Sequence, residues 1–394
     1  MRVVVTAGGS GGHITPILAV AHELKKQFPD TEIVYIGQRG DRLSDIPAGD
    51  PNIDAVYTVW AGKFRRYADE DWHQWLNVRT QALNIRDVFR VVVGLWQSFL
   101  LLRKLRPDII FTRGGFVSVP VALGGYLNGI PYITHDSDSV PSLANRLIAR
   151  WAHTHAVALP PEVYPYALDK TVFVGVPVSR HYQPVTATLR RRYREVLGIR
   201  AGRMVFVTGG GNGARQLNIA LVQNARYLLG TYPDLEIVHV AGRALEDETN
   251  AAYDALRLGK ARSRVTVYGF LENMYQYSGA ADVVVARGGA NTLAEFALQQ
   301  TACIIIPASQ LVGGHQVKNT QFLAKKGAVI QLSEDQTEQP ERLGRTIGEL
   351  LNNDRKRDKL AQTLAMYAHP HAAAELASLL VDIVNRRGHV RTEK

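Results

Sequence analysis

A single cysteine, Cys303, occurs among the 394 residues, so no disulfide can close within the chain and a reducing compartment is its natural setting. It lies in the apolar run Cys303-Ile304-Ile305-Ile306, which points to a buried structural thiol rather than a nucleophile. No apolar run reaches the ~18 residues that span a bilayer. The longest candidate, Val91 to Leu102, is short and is interrupted by Gln97 and Ser98. The N-terminus enters a strand pattern at once, Arg2-Val3-Val4-Val5, without the layout of a signal peptide, and the expected location is cytoplasmic. What the sequence does carry is a formal net charge of +10, which suits an anionic partner: nucleic acid, anionic lipid or a phosphorylated substrate. A hydrophobic content of 46% with 21% charged residues is that of a soluble globular protein, and the length predicts two domains.

Short β-branched runs alternate with longer helical patterns. Strands are expected at Val3–Thr6, Ile33–Ile36, Ile109–Thr112, Tyr132–Thr134 and Val172–Val174, then at Val205–Thr208, Ile237–Val240, Val265–Tyr268, Val283–Ala286, Cys303–Ile306 and Val329–Leu332. Continuous apolar strands separated by amphipathic helices indicate an α/β protein with parallel sheets covered on both faces. Each half opens with a strand, a glycine-rich turn and a helix: Val5-Thr6-Ala7-Gly8-Gly9-Ser10-Gly11-Gly12-His13 and Val207-Thr208-Gly209-Gly210-Gly211-Asn212-Gly213-Ala214. The reading is two Rossmann-like domains, 1–177 and 178–370, with a linker around Gly175 to Leu197 where the pattern breaks and turns polar. A last helix pattern, in 371–394, is expected to pack back across that linker. Ligands in such sheets bind outside the carboxyl ends of the strands, and two facing sheets would share a site in the cleft between them.

A glycine turn before a helix lets backbone amides approach a phosphate, and the helix dipole favours the negative charge. The second turn fits G-x-G-x-x-A through Gly209, Gly211 and Ala214, but a nicotinamide site also wants an acid at the end of the next strand. Those strands end in Ile36-Gly37-Gln38 and Val240-Ala241-Gly242, with no carboxylate. His13 sits at a helix start, where the dipole opposes the imidazolium form; a neutral ring suits a general base, and a purely structural role is the alternative.

Four spaced motifs then coincide with one family. Gly8-Gly9-Ser10-Gly11-Gly12-His13-Ile14-Thr15-Pro16, Gly114-Gly115-Phe116-Val117-Ser118, Gly209 to Asn218 and Ala281 to Glu295 resemble, in this order and across nearly the whole chain, the signature loops of glycosyltransferase family 28. The resemblance implies a GT-B fold, two Rossmann-like domains with parallel sheets facing across a cleft. It also implies an inverting transfer of N-acetylglucosamine from UDP-N-acetylglucosamine to undecaprenyl-pyrophosphoryl-N-acetylmuramyl-pentapeptide, without cofactor or catalytic metal. On the acceptor side it implies diphosphate contacts by Gly9, Ser10, Gly11, Gly115 and Ser118, with His13 or Asp138 removing the hydroxyl proton. For the donor it implies Glu295 on the ribose, Gly289, Ala290, Asn291, Thr292 and Leu293 around the phosphate, and the Leu271 backbone at uracil. Ser10, Gly11, Gly12, Asp138, Arg180, Gly211, Asn212, His315 and Gln316 complete the implied donor set, with Asn319 near the sugar. The helix N-terminus and Arg287 or Arg215 are expected to stabilise the departing diphosphate.

Several positions depart from the family pattern. The family has His-Glu-Gln-Asn where this chain has His135-Asp136-Ser137-Asp138, so Asp138 brings a carboxylate that can act as a base. Asp136-Ser137-Asp138 also spells the D-x-D of metal-dependent transferases, or a polar cap on the next helix with Asp138 or Ser139 as the capping residue. His315 replaces a glutamine, Gly211-Asn212 replaces Ser-Gln, and in Gly175-Val176-Pro177-Val178-Ser179-Arg180 the arginine is one position late.

Four of the five tryptophans, Trp60, Trp72, Trp75 and Trp96, are interleaved with Lys63, Arg65, Arg66, Arg79, Arg86 and Arg90. That mixture suits a patch meeting anionic headgroups, so the expected location is peripheral on the cytoplasmic face of the plasma membrane. Val91, Leu95, Phe99 and Leu102 form a helix stripe that reads more readily as core. No nucleic-acid motif accompanies the basic residues. Rival readings are a transferase for another lipid, a UDP-N-acetylglucosamine 2-epimerase type of enzyme, and an idle nucleotide-sugar-binding partner.

Overall fold

The computed structural model describes residues 1–8, 11–41, 44–62, 78–199, 202–211, 213–310, 314–339 and 341–392. The chain divides into two units, Met1–Ser179 with His369–Lys394, and Arg180–Ala368.

The first unit holds seven strands: β1 Arg2–Thr6, β2 Glu32–Gln38, β3 Ala55–Val59, β4 Ile109–Thr112, β5 Tyr132–Asp136, β6 Thr154–Val157 and β7 Thr171–Phe173. They form one parallel sheet in the order β3-β2-β1-β4-β5-β6-β7. Successive side chains of a strand face opposite sides, so Val3 and Val5 join one core while Val4 joins the other. The second unit repeats the plan with β8 Arg203–Thr208, β9 Leu235–Val240, β10 Val265–Tyr268, β11 Val283–Ala286, β12 Cys303–Ile305 and β13 Ile330–Gln331. Their order is β10-β9-β8-β11-β12-β13, again parallel throughout. In both sheets the order reverses at the first strand of the unit, which is where a doubly wound sheet offers its crevice.

Two strands escaped the sequence reading. β3 is an edge strand whose Tyr57 and Thr58 face solvent, so its apolar alternation is weak. In β6 the buried Thr154 and His155 look unlike a strand interior, yet Thr134 Oγ1 lies 2.7 Å from His155 Nδ1 and Tyr166 stacks on the imidazole at 3.8 Å. The polar stretch expected as linker is not linker throughout. Ala187–Leu197 is a helix of the second unit, capped by Thr186 and stopped by Gly198 at φ 68°. Its Arg194 pairs with Asp282 at 2.8 Å and its Tyr193 is buried, leaving an arginine-rich outer face that hides the periodicity. The final helix, Ala372–Thr392, returns to the first unit, where Leu376, Ala377, Leu380 and Ile383 pack with Ile17, Val20 and Leu24. Among the described residues no helix is long and apolar enough to cross a membrane. Cys303 is fully buried in β12, as its apolar run requires.

Candidate functional site

In the first unit the sequence-predicted acceptor side gathers at the carboxyl ends of β1, β4 and β5. Gly9 and Ser10 lie outside the described residues; Gly11 and Gly12 open the helix Gly11–Gln27, with His13 in its first turn. The glycine pair after β4 comes so close to the first turn that a Cβ on Gly115 would lie 2.4 Å from the Gly8 carbonyl oxygen, and its φ of 80° favours glycine as well. Ser118 turns into its own loop. It is fully buried, its hydroxyl donates to the Gly114 carbonyl and accepts from Thr112, and its amide donates to Gly115 O at 3.1 Å, so it shapes the loop.

His13 is half-buried, and its Nδ1 lies 3.0 Å from the Arg113 carbonyl oxygen. A carbonyl only accepts, so Nδ1 carries the proton and Nε2 of the neutral ring keeps a lone pair. Burial and the Arg113 guanidinium hold the imidazole below its usual pKa, against the carbonyl bond and the charge of Asp138. Arg113 directly follows β4 and is 4% exposed. Its amide donates to Thr6 O at 3.3 Å and its Nη2 donates to Ser137 Oγ. Burial brings its pKa down to about 10 against the charges of Asp138 and Asp136, so it remains a cation at neutral pH. Sequence reasoning overlooked this residue. Its signal was an arginine wedged between a buried strand and a glycine pair.

Asp136 and Asp138 fall into different settings. Asp136, 4% exposed, accepts from Tyr166 Oη at 2.7 Å, Asn145 Nδ2 at 2.9 Å and Ser142 N at 3.2 Å, and burial outweighs these donors to raise its pKa. It therefore organises the chain around the helix Leu143–Ile148 rather than reaching for a metal. The capping residue of that helix is Ser142, not Asp138 or Ser139: its hydroxyl accepts from Asn145 N at 3.1 Å. Asp138 is half-buried in the loop after β5. His135 is buried, held far below its usual pKa by burial, and its Nε2–H donates to Gly175 O at 2.9 Å.

In the second unit the predicted donor side gathers at the carboxyl ends of β8, β11 and β12. Asn212 lies outside the described residues, and Gly211 is exposed beside it. Gly289 caps the helix Ala290–Gln299, whose first turn holds Asn291, Thr292 and the buried Leu293. A helix start presents backbone amides that no carbonyl of its own turn can take, together with the positive end of the dipole. Gly288 is required by packing: a Cβ there would lie 2.3 Å from Thr320 Oγ1 and 2.9 Å from the Gln316 carbonyl oxygen. That contact brings the helix His315–Lys325 against the phosphate-type turn, so His315 and Gln316 start the helix beside it. Gln316 Oε1 accepts from Ala308 N at 3.0 Å. Leu271 is half-buried after β10, Asn319 lies one turn beyond His315, and Arg180 is exposed.

Glu295 is half-buried, and burial pushes its carboxyl up to about 8. The Tyr182 hydroxyl donates to it and works in the opposite direction. Tyr182, which the sequence reading passed over as part of a polar stretch, thus stands on the carboxylate assigned to the ribose. The two expected phosphate cations are engaged elsewhere. Arg287 pairs with Glu334 at 2.8 Å and donates to Ile306 O at 3.0 Å, both side chains being nearly buried, while Arg215 pairs with Glu248. The helix terminus is a further feature that favours an anion.

Comparison with known proteins identifies the family. Residues 3–157 match the glycosyltransferase family 28 N-terminal domain and residues 204–376 the glycosyltransferase family 28 C-terminal domain. The UDP-N-acetylglucosamine--N-acetylmuramyl-(pentapeptide) pyrophosphoryl-undecaprenol N-acetylglucosamine transferase of Desulfitobacterium hafniense (strain Y51) is 31% identical over 386 residues, 97% of this chain and 99% of that one. This chain belongs to glycosyltransferase family 28. The crystal structure of Acinetobacter baumannii MurG shares the fold, with a TM-score of 0.69 at 24% identity over 97% of this chain and 99% of that one. The UDP-GlcNAc 2-epimerase of Neisseria meningitidis bound to UDP-GlcNAc also shares it, with a TM-score of 0.63 at 12% identity over 97% and 100%. The family 28 glycosyltransferase reading is therefore separated from the epimerase by sequence, not by fold.

Proposed function

We propose that the protein transfers N-acetylglucosamine from UDP-N-acetylglucosamine to the lipid-linked N-acetylmuramyl-pentapeptide, converting lipid I to lipid II. The observation that carries this reading is the 31% identity, sustained over 97% of the chain, to an enzyme of that name. In this account His13 Nε2 takes the proton of the acceptor hydroxyl as that oxygen attacks the anomeric carbon. The bond from the anomeric carbon to the diphosphate oxygen breaks, and its electron pair leaves with UDP. Asp138 supports the imidazolium that forms, since its charge raises the ring's affinity for a proton. The start of the helix Ala290–Gln299 stabilises the leaving diphosphate, and Glu295 accepts the ribose hydroxyls once Tyr182 gives way.

The acceptor calls for work at a lipid surface, and one helix offers a face for it. On Val78–Leu105, Ile85, Val88, Phe89, Val92, Trp96 and Leu100 are exposed, from 49% to 71%. At 100° per residue they occupy an arc of about 120°. The stripe expected from the sequence, Val91, Leu95, Phe99 and Leu102, turns about 90° away and is partly or wholly buried. Arg86 and Arg90 lie to one side of the exposed arc, paired with Asp87, and Arg103 continues it toward the end of the helix, a combination that favours an anionic membrane face.

The deciding experiment supplies labelled UDP-N-acetylglucosamine and lipid I in detergent and counts the lipid fraction. Label in the lipid is the expected result. A labelled soluble sugar formed without acceptor would instead favour epimerisation, and UDP binding without any turnover would leave an idle partner.

A further inference from the structure

The chemistry proposed above needs His13 to be neutral with its lone pair on Nε2; burial of the ring is the first cause of neutrality, and one residue, Arg113, adds to it and also sets the tautomer. The Arg113 carbonyl, 3.0 Å from Nδ1, takes the ring proton. The side chain of the same residue carries the positive charge that acts on the ring. That charge stands on a fixed main chain and has a polar partner. The main chain is fixed by Arg113 N–H donating to Thr6 O across β1 and β4, the guanidinium donates to Ser137, and the residue is 4% exposed. A guanidinium so enclosed has little water to screen it, so it acts on the ring in the same direction as burial.

We infer that Arg113 is a positioning residue of this site: its carbonyl sets the tautomer of His13, and its buried guanidinium opposes the charge of Asp138 beside that ring. The inference rests on the reading of His13 as proton acceptor, but it can be tested apart from it. The groups to be counted are few. Arg113 and Asp138 act on His13; Asp138, Asp136 and His13 surround Arg113, which also lowers the pKa of His135. Tyr164 and Tyr166 face Asp136, and Arg146 faces Tyr166. The opposing signs of Arg113 and Asp138 leave a ring that can accept a proton during attack and release it afterwards, which neither charge alone would provide.

The sign of the effect follows directly. A cation beside an imidazole disfavours its protonated form, so removing the cation raises the pKa of His13. The test is an NMR titration of His13, assigned with a His13→Gln variant, in the full chain and in Arg113→Gln, Arg113→Met and Arg113→Lys. The backbone carbonyl survives in all of them, and Gln can keep the bond to Ser137. The two neutral variants should raise the His13 pKa by about one unit, and Lys should hold it near the parent value. The acid limb of the pH–rate profile should move with it. An unmoved titration in the neutral variants, or an equal shift with Lys, would overturn the inference. A moved titration with an unmoved acid limb would uphold it and instead remove His13 as the proton acceptor.

Discussion

The two units open on similar glycine-rich sequences, and their described surroundings differ. After β1 the turn is surrounded by titratable groups: His13, Arg113, His135, Asp136 and Asp138 all lie at the carboxyl ends of β1, β4 and β5. In the second unit the arginine that corresponds to Arg113 is Arg287, directly after β11, and Glu295 lies in the helix Ala290–Gln299 that follows. The cations nearest in sequence, Arg287 and Arg215, are already paired. On the proposed reading, duplicated architecture is divided between proton transfer in one unit and anion and ribose recognition in the other. The contrast shows why fold likeness alone, as to the epimerase, cannot assign the reaction.

The sharpest way to break this comparison is to remove the groups one unit at a time. His13→Ala should lower kcat by about 10²–10⁴-fold, the usual contribution of a general base, with little change in the donor KM; steady-state kinetics at saturating donor will show it. Glu295→Ala should act in the opposite column, weakening UDP affinity by about ten- to a hundredfold through lost hydrogen bonds to a charged acceptor. The Glu295 reading also has a pH signature. With its carboxyl up at about 8 in the empty protein, UDP binding should strengthen as pH rises to that value, by at most about tenfold per unit, and then level off. Linkage sets the reverse trend for the empty chain: the stability tied to a raised acid is full below about 4.5 and is lost as pH rises to about 8. Glu295→Gln should flatten both curves. The smallest effect concerns the turn itself. Gly288→Ala forces a Cβ to within 2.3 Å of Thr320 Oγ1 and should cost about 1–3 kcal/mol of stability, visible in thermal unfolding as a lower Tm.

Much of the scaffold was legible because parallel strands buried on both faces are apolar runs, and glycine-rich turns mark their ends. Val3–Thr6 and Val283–Ala286 were found on those grounds. β3 and β6 were not, because edge exposure in one and a satisfied Thr–His pair in the other erase the apolar signature. The site divides in the same way. Residues inside motifs, such as His13, Gly115 and Glu295, could be named, since turn and helix-start chemistry is local. Arg113 and Tyr182 could not, because their importance comes from contacts across the fold, with His13 100 residues away in one case and Glu295 in the other. Ser118 shows the converse: a motif residue whose hydroxyl is consumed inside its own loop. On Val78–Leu105 the stripe read as core, Val91, Leu95, Phe99 and Leu102, is partly or wholly buried, while the exposed apolar arc about a quarter turn away was not singled out, because sequence alone does not say which apolar face the helix Ser118–Leu127 covers.

The division of labour is tested most directly by calorimetric titration of UDP into the parent protein, His13→Ala and Glu295→Ala under one buffer. The account predicts that His13→Ala binds UDP as the parent does while Glu295→Ala loses most of its affinity. Equal losses in both variants, or a loss confined to His13→Ala, would contradict it.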